Sequence, residues 1–315
     1  MRYSNTAVSK NDAPIGAVKK KHKFSIPDFL IGLILTVFTV ICLLSLLLVV
    51  IGAFSSETSI AEKGFSFFPT AYSAKAFNYV ANFGGQLVQS YVVSIFVTAS
   101  GTFMSLLLTS MLSYTLSRKH FKLNGFLSVY VLFTMLFSGG LLGSYLINTN
   151  VFNLRNNILV LIIPTSVTAW NVFVMRTFIV SNIPDALLEA AKIDGAGDVR
   201  AFFQIVLPLL KPALAALGFM IAVGLWNEWQ TAFLYIDSPN LAPLQLMLIR
   251  IEKNLEYLQQ RSSMLSAAEL KMIKESPSES ARMAVLLFTI APVLFIYPFF
   301  QKYFIKGITL GSVKG

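Results

Sequence analysis

Apolar residues in this chain are gathered into long runs, and the polar residues between them sit in shorter segments rich in charge and turn formers. The runs fill residues 29–54, 86–116, 125–147, 157–180, 213–236 and 279–304. At ~1.5 Å of rise per residue, a helix over each run reaches the ~30 Å needed to cross the hydrocarbon core of a bilayer. The pattern therefore predicts an all-α membrane protein with six transmembrane helices. Basic residues set its orientation. Arg2, Lys10, Lys19, Lys20, Lys21 and Lys23 outnumber Asp12 and Asp28 in the first 28 residues, Arg118, Lys119 and Lys122 follow the second run, and Lys302, Lys306 and Lys314 end the chain with no acid among them. Such flanks stay on the cytoplasmic side, which places both termini there.

The segmentation that follows is a cytoplasmic basic tail at 1–28, a first transmembrane helix at 29–54, a five-helix core at 86–305 and a cytoplasmic tail at 306–315. The first run exceeds the ~7–15-residue core of a cleavable signal and is expected to be retained. In the third run Gly139 and Gly143 have the spacing that lets helices approach closely, and they read as a hinge or as packing. Pro164, Pro292 and Pro298 are expected to kink the fourth and sixth spans.

Composition sharpens this picture. Hydrophobic residues make up 55% of the 315 and charged ones 13%, which excludes an ordinary soluble domain. The formal charge of +10 lies at the ends and in short loops, with no basic groove that would take a nucleic acid. A single cysteine, Cys42, excludes an internal disulfide or a thiolate metal site. The two histidines, His22 and His120, lie in polar stretches and read as solvated surface groups. Neither a G-x-x-x-x-G-K-[ST] stretch for nucleotide phosphates nor an HExxH or G-x-S-x-G motif occurs, so no catalytic role is expected.

The segment 183–212, IPDALLEAAKIDGAGDVRAFFQIVLPLLKP, departs most from the apolar pattern. It predicts two short helices joined by a turn. Pro184 suits a first helical position, Asp185 and Glu189 favour the positive end, and Gly195 and Gly197 supply the stop. Asp198 caps the second helix, and Pro208 ends it. Leu187, Ala190 and Ala191 are expected on one low-relief side of the first helix that a partner could approach closely.

Glu189-Ala190-Ala191, Asp194-Gly195-Ala196, Phe203, Ile205, Leu207-Pro208-Leu209 and Pro212 together resemble the EAA coupling loop of bacterial ABC importer permeases, in the carbohydrate group typified by the maltose permease subunits. The resemblance runs from about residue 86 to the end, including the closing GITLGSVKG. It departs at Gly143, where related permeases often carry proline. It implies an ABC importer permease fold in a bacterial cell membrane, with Glu189, Ala190, Ala191, Asp194, Gly195, Ile205, Leu207 and Pro208 docking on a cytoplasmic ATPase. It also implies a second homologous permease, a dimer of ATPase subunits that carries ATP and Mg²⁺, an extracellular solute-binding protein, a di- or oligosaccharide substrate and surrounding lipid. This chain itself is expected to bind no cofactor or metal.

Sugar recognition needs aromatic platforms and hydrogen-bonding groups, and Trp170, Asn171, Trp226, Asn227, Glu228 and Trp229 are the candidates for the substrate pathway. Glu228 faces either a wet cavity or, with its tryptophans, the membrane interface. Residues 237–275 form an extracellular excursion with helical spacing at Met247, Ile251, Leu255 and Leu258, a capping box at Ser266 and Glu269, and a capped start for the last span at Ser276, Pro277, Ser278 and Glu279. Two other readings stay open. One is a permease for amino acids or peptides; the other is a membrane transferase acting on lipid-linked glycans, whose acidic cluster would have to be Asp185, Glu189, Asp194 and Asp198.

Overall fold

A computed structural model describes residues 26–82, 84–260 and 279–312. The capping box at Ser266 and Glu269 and the helix start at residues 276–278 lie outside the described residues. The elements are helices: α1 (Ile26–Ala53), α2 (Glu57–Lys63), α3 (Lys75–Asn82), α4 (Gly84–Ser117), α5 (Asn124–Leu136), α6 (Gly140–Leu146), α7 (Ala169–Asn182), α8 (Asp185–Ile193), α9 (Asp198–Ala201), α10 (Leu207–Leu209), α11 (Lys211–Trp226), α12 (Gln230–Tyr235), α13 (Leu244–Gln260) and α14 (Glu279–Ser312). Wide π turns extend α6 over Ile147–Val151 and join α9 to α10 over Phe202–Val206. Among the described residues the sheet-like pairing is one bridge, Ser55 to Tyr72.

The described residues up to 47 form one unit and those from 48 onward another. The part of α1 in the first is apolar all round, as a lipid-facing span must be, with Phe29, Ile31, Ile34, Leu35, Phe38 and Ile41 exposed. In the second, α4 is the axis, with α7 and α11 packed along it and α14 packed on α11. The buried side of α4 carries Ser90, Ser94, Gly101, Ser105, Thr109 and Ser113. Small residues at this spacing let helix backbones approach, and dispersion then holds them where lipid cannot drive association. The approach is reciprocal: a Cβ on Gly101 would lie 2.7 Å from Leu225 of α11, and one on Gly218 of α11 would lie 3.0 Å from Leu106 of α4.

Three expected spans are built differently from single straight helices. The third run is α5 and α6, bent by 113°, with Gly140 at φ +74° in the turn. Gly139 and Gly143 thus flank a break instead of sharing one helix face. In the fourth run, residues 158–161 form a short 3-10 helix, Pro164 lies in the turn after it, and α7 begins at Ala169. Pro164 therefore lies between two helices instead of kinking one. In the fifth run α11 stops at Trp226 and α12 resumes at Gln230. α14 runs beyond residue 304, through Ser312.

Within α14, Pro292 cannot donate to the carbonyl of Phe288. That carbonyl accepts the hydroxyl of Tyr91 from α4, and the next one, Thr289 O, accepts the indole N–H of Trp226 at 3.1 Å. The helix continues past the proline because its neighbours take up the freed acceptor. Its start is held from far along the chain. Glu57 of α2 accepts from the backbone N–H groups of Glu279 (2.8 Å) and Ser280 (3.3 Å) and from the Ser280 hydroxyl (2.8 Å), capping the first turn of α14.

Candidate functional site

Segment 183–212 folds as a hairpin of α8 and α9–α10 against one end of α4. Ile183, Leu188, Ala191, Ala201, Phe202 and Val206 are buried in one cluster with Tyr114 of α4, Met175 and Ile179 of α7, and Leu210 and Leu217. The spacing 188/191 and 202/206 turns one face of each helix inward, so the hairpin is seated on the helices that continue into the membrane. Ion pairs from Asp185 to Lys119 (3.3 Å) and Arg118 (4.0 Å) tie its start to the segment after α4.

The turn between the helices is tightly specified. Gly195 has φ +80°, a conformation that glycine adopts without steric cost. Its N–H donates to Lys192 O at 3.0 Å and that of Ala196 to Ala191 O at 2.9 Å, the paired bonds of a Schellman stop. Lys192 pairs with Asp198 at 3.8 Å across the turn.

Several expected details shift. Pro184 is the N-cap residue, not the first helical one, and Asp185 follows it. Gly197 caps α9, with Asp198 at the first helical position, where its charge meets the helix dipole and Lys192. Pro208 does not end the second helix. The π turn ahead of it bonds Leu207 N to Phe202 O, and α10 carries Pro208 in its first turn, where a missing N–H costs little. The break comes at Leu210, where the axis bends by 78° into α11. Ala190 is exposed but Ala191 is 7% exposed, so the two alanines do not share one docking surface.

Glu189, Ala190, Asp194, Gly195 and Pro208 lie on the outer side of the hairpin, while Ile205 and Leu207 pack half-buried against its core. Apolar side chains that the sequence motif does not include stand beside them: Ile193 is 86% exposed and Val199 73%. The available signal was their position next to the turn, at Ile193-Asp194-Gly195 and Asp198-Val199, where the inward phase of each helix has already passed.

The six candidates for a substrate pathway separate. Trp170 and Asn171 lie beside Val172, whose carbonyl accepts the Ser113 hydroxyl toward the hairpin end of α4. Trp226 packs near Tyr91, toward the other end, and is buried with its N–H satisfied by α14, so it is a packing residue. Glu228 uses its carboxylate at 2.8 Å to cap Thr231 N at the start of α12, which explains an acid at this depth without a wet cavity. Trp229 remains exposed. Twenty residues of α4 separate Ser94, which accepts Leu244 N, from Tyr114, whose ring packs on Phe202. At ~1.5 Å per residue that is about 30 Å, one bilayer core between the hairpin and the α12–α13 end.

Over its length the chain is 37% identical to the polygalacturonan/rhamnogalacturonan transport system permease protein YtcP of Bacillus subtilis (strain 168), covering 91% of this chain and 98% of that one. It is 34% identical to Protein LplC of the same organism, over 87% and 90%. A solved bacterial ABC transporter involved in import of the acidic polysaccharide alginate superposes with a TM-score of 0.75 at 26% identity, covering 90% of this chain and 99% of that one. Among the described residues three helices are long and apolar enough to cross a membrane, or up to five if each bent pair is one span. Residues 107–310, with the whole hairpin inside them, match the binding-protein-dependent transport system inner membrane component, and the chain belongs to that family of membrane permeases.

Proposed function

We propose that this chain is one of two permease subunits of an ATP-driven importer for di- or oligosaccharides delivered by an extracellular binding protein. The observation that carries it is the hairpin: a rigid knob, seated by its inner face on α4, α7 and α11, that presents Ile193, Val199, Glu189 and Ala190 outward. ATP and Mg²⁺ belong to the partner ATPases. Their closure moves the two hairpins, and the difference in contact free energy between the open and closed ATPase states is what shifts the spans between inward- and outward-facing. The sugar class rests on two relatives from Bacillus subtilis, the polygalacturonan/rhamnogalacturonan permease YtcP and the arabinooligosaccharide permease AraQ.

The topology in this reading has six spans, with α7 completing a set of which α5–α6 and α11 are bent members, and both termini cytoplasmic. Ile193→Cys and Trp229→Cys, each in a Cys42→Ser background, test it: an impermeant thiol reagent should label the second in intact cells and the first only after lysis. The coupling role is tested by co-purification. Glu189→Lys should leave the permease pair assembled while reducing retained ATPase and abolishing substrate-stimulated ATP hydrolysis. Full ATPase retention with a normal transport rate would remove the hairpin from the coupling step.

A further inference from the structure

At the α12–α13 end, two helices bring together groups that the packing does not consume. Trp229 and Phe233, one helical turn apart, meet edge to face with ring centroids 6.3 Å apart, and both remain nearly half exposed at 45% and 44%. The ammonium of Lys253 on α13 stands 4.3 Å from the centre of the Phe233 ring. Among the described residues no carboxylate lies within ion-pair distance of it. Gln245, eight residues earlier on α13 and so ~12 Å away along the axis, donates to the Asn227 carboxamide at 3.3 Å, and Asn227 is itself fixed to Val223 O at 2.8 Å. One end of the Gln245 amide is thereby held, and among the described residues the other has no hydrogen-bond partner.

Each part suits one feature of a charged sugar. The C–H face of a pyranose ring is apolar and stacks on an aromatic face. Sugar hydroxyls need a group that both donates and accepts, which a carboxamide does. A lysine held on a ring supplies three donors and a positive charge but no acceptor, so it discriminates by sign. We propose that Trp229, Phe233, Lys253 and Gln245 form a subsite for a uronate ring of an acidic oligosaccharide, with the carboxylate at Lys253 and Asn227 positioning Gln245. This rests on the sugar-importer reading above and adds the charge of the substrate and the residues that select it.

The test uses the complete permease–ATPase complex in nanodiscs of neutral or anionic lipid, with the binding protein omitted, and the α-1,4-linked galacturonate trimer and its methyl ester as probes. Saturation-transfer NMR should detect the acidic trimer on the wild type. Lys253→Met should weaken its binding about tenfold, as expected for loss of a hydrogen bond to a charged group, and Lys253→Arg should restore it. Binding of the methyl ester should be the same in all three. Equal binding of both trimers to the wild type, an equal loss for both in Lys253→Met, or an effect of Lys253 only in anionic lipid, the sign of a headgroup contact, would each overturn the subsite. Uptake by the complete importer separates the two levels. Transport of neutral oligosaccharides with no binding of the acidic trimer ends the subsite and keeps the sugar importer, whereas transport of no saccharide ends both.

Discussion

The hairpin and the opposite end of α4 are held by different physics. The hairpin, α8 to α10, is seated through an apolar cluster around Tyr114, Leu188 and Phe202, and its own polar links to the segment after α4 are the ion pairs of Asp185 with Lys119 and Arg118, while beside it Ser113 donates to Val172 O and Arg176 to Leu116 O between α4 and α7. At the other end, side chains reach backbone groups far away in sequence: Ser94 to Leu244, Gln89 to Asn240, and Glu57 to the start of α14. A segment that transmits motion must stay internally rigid while its outer surface remains available. A segment that joins several spans must instead fix non-adjacent elements in register, and directional hydrogen bonds do that where apolar contact would allow sliding.

Substitutions can break each end separately. The largest effect is expected from Gly195→Val. Nothing lies within 4 Å of a Cβ there, so the penalty is the left-handed backbone alone, roughly 1–2 kcal/mol for a non-glycine residue and more for a β-branched one. The turn re-forms elsewhere and the hairpin tilts, so transport by the reconstituted importer should fall to background while the spans still insert. Next is Glu57→Ala, which leaves two N–H groups and a hydroxyl without their acceptor at the start of α14 and should cost about 2 kcal/mol. Thermal unfolding in detergent should shift down by several degrees, and Glu57→Gln, which keeps an acceptor, should recover part of the loss.

Tyr91→Phe is smaller and more local. It strands the Phe288 carbonyl that Pro292 cannot use, at about 1–2 kcal/mol, and Pro292→Ala in the same chain should return most of that by restoring the helical donor. A double-mutant cycle read by thermal stability measures the coupling. Lys119→Ala should do least. Its side chain is largely exposed, and a surface ion pair of this kind is worth less than about 0.5 kcal/mol in stability.

What the sequence made legible follows from range. The hairpin is a local structure: two glycines, an inward spacing and flanking acids all act within 30 residues, so its existence could be read, down to Gly195 as the stop. Its inward and outward faces could not. Ala191 turns inward because Leu188 and Phe202 do, and that depends on which face α4 and α7 offer. At the other end Glu57 acts on residues more than 220 positions later, a relation no local pattern contains. The long apolar helices were legible as runs, and a hinge at Gly139 and Gly143 was one of the two readings of the third run, but the break at Asn227 to Trp229 was not, because breakers such as Pro292 can also be bridged by a tyrosine from another helix.

In the proposed importer, the outer side of the hairpin is the surface the ATPase occupies. Hydrogen–deuterium exchange on the permease pair in nanodiscs, with and without the ATPase dimer, tests it most directly. Protection on adding the ATPase is expected in peptides spanning residues 185–203, strongest around Ile193 and Val199, with exchange in α12 and α13 unchanged. Exchange in residues 185–203 that is the same with and without bound ATPase would contradict the account.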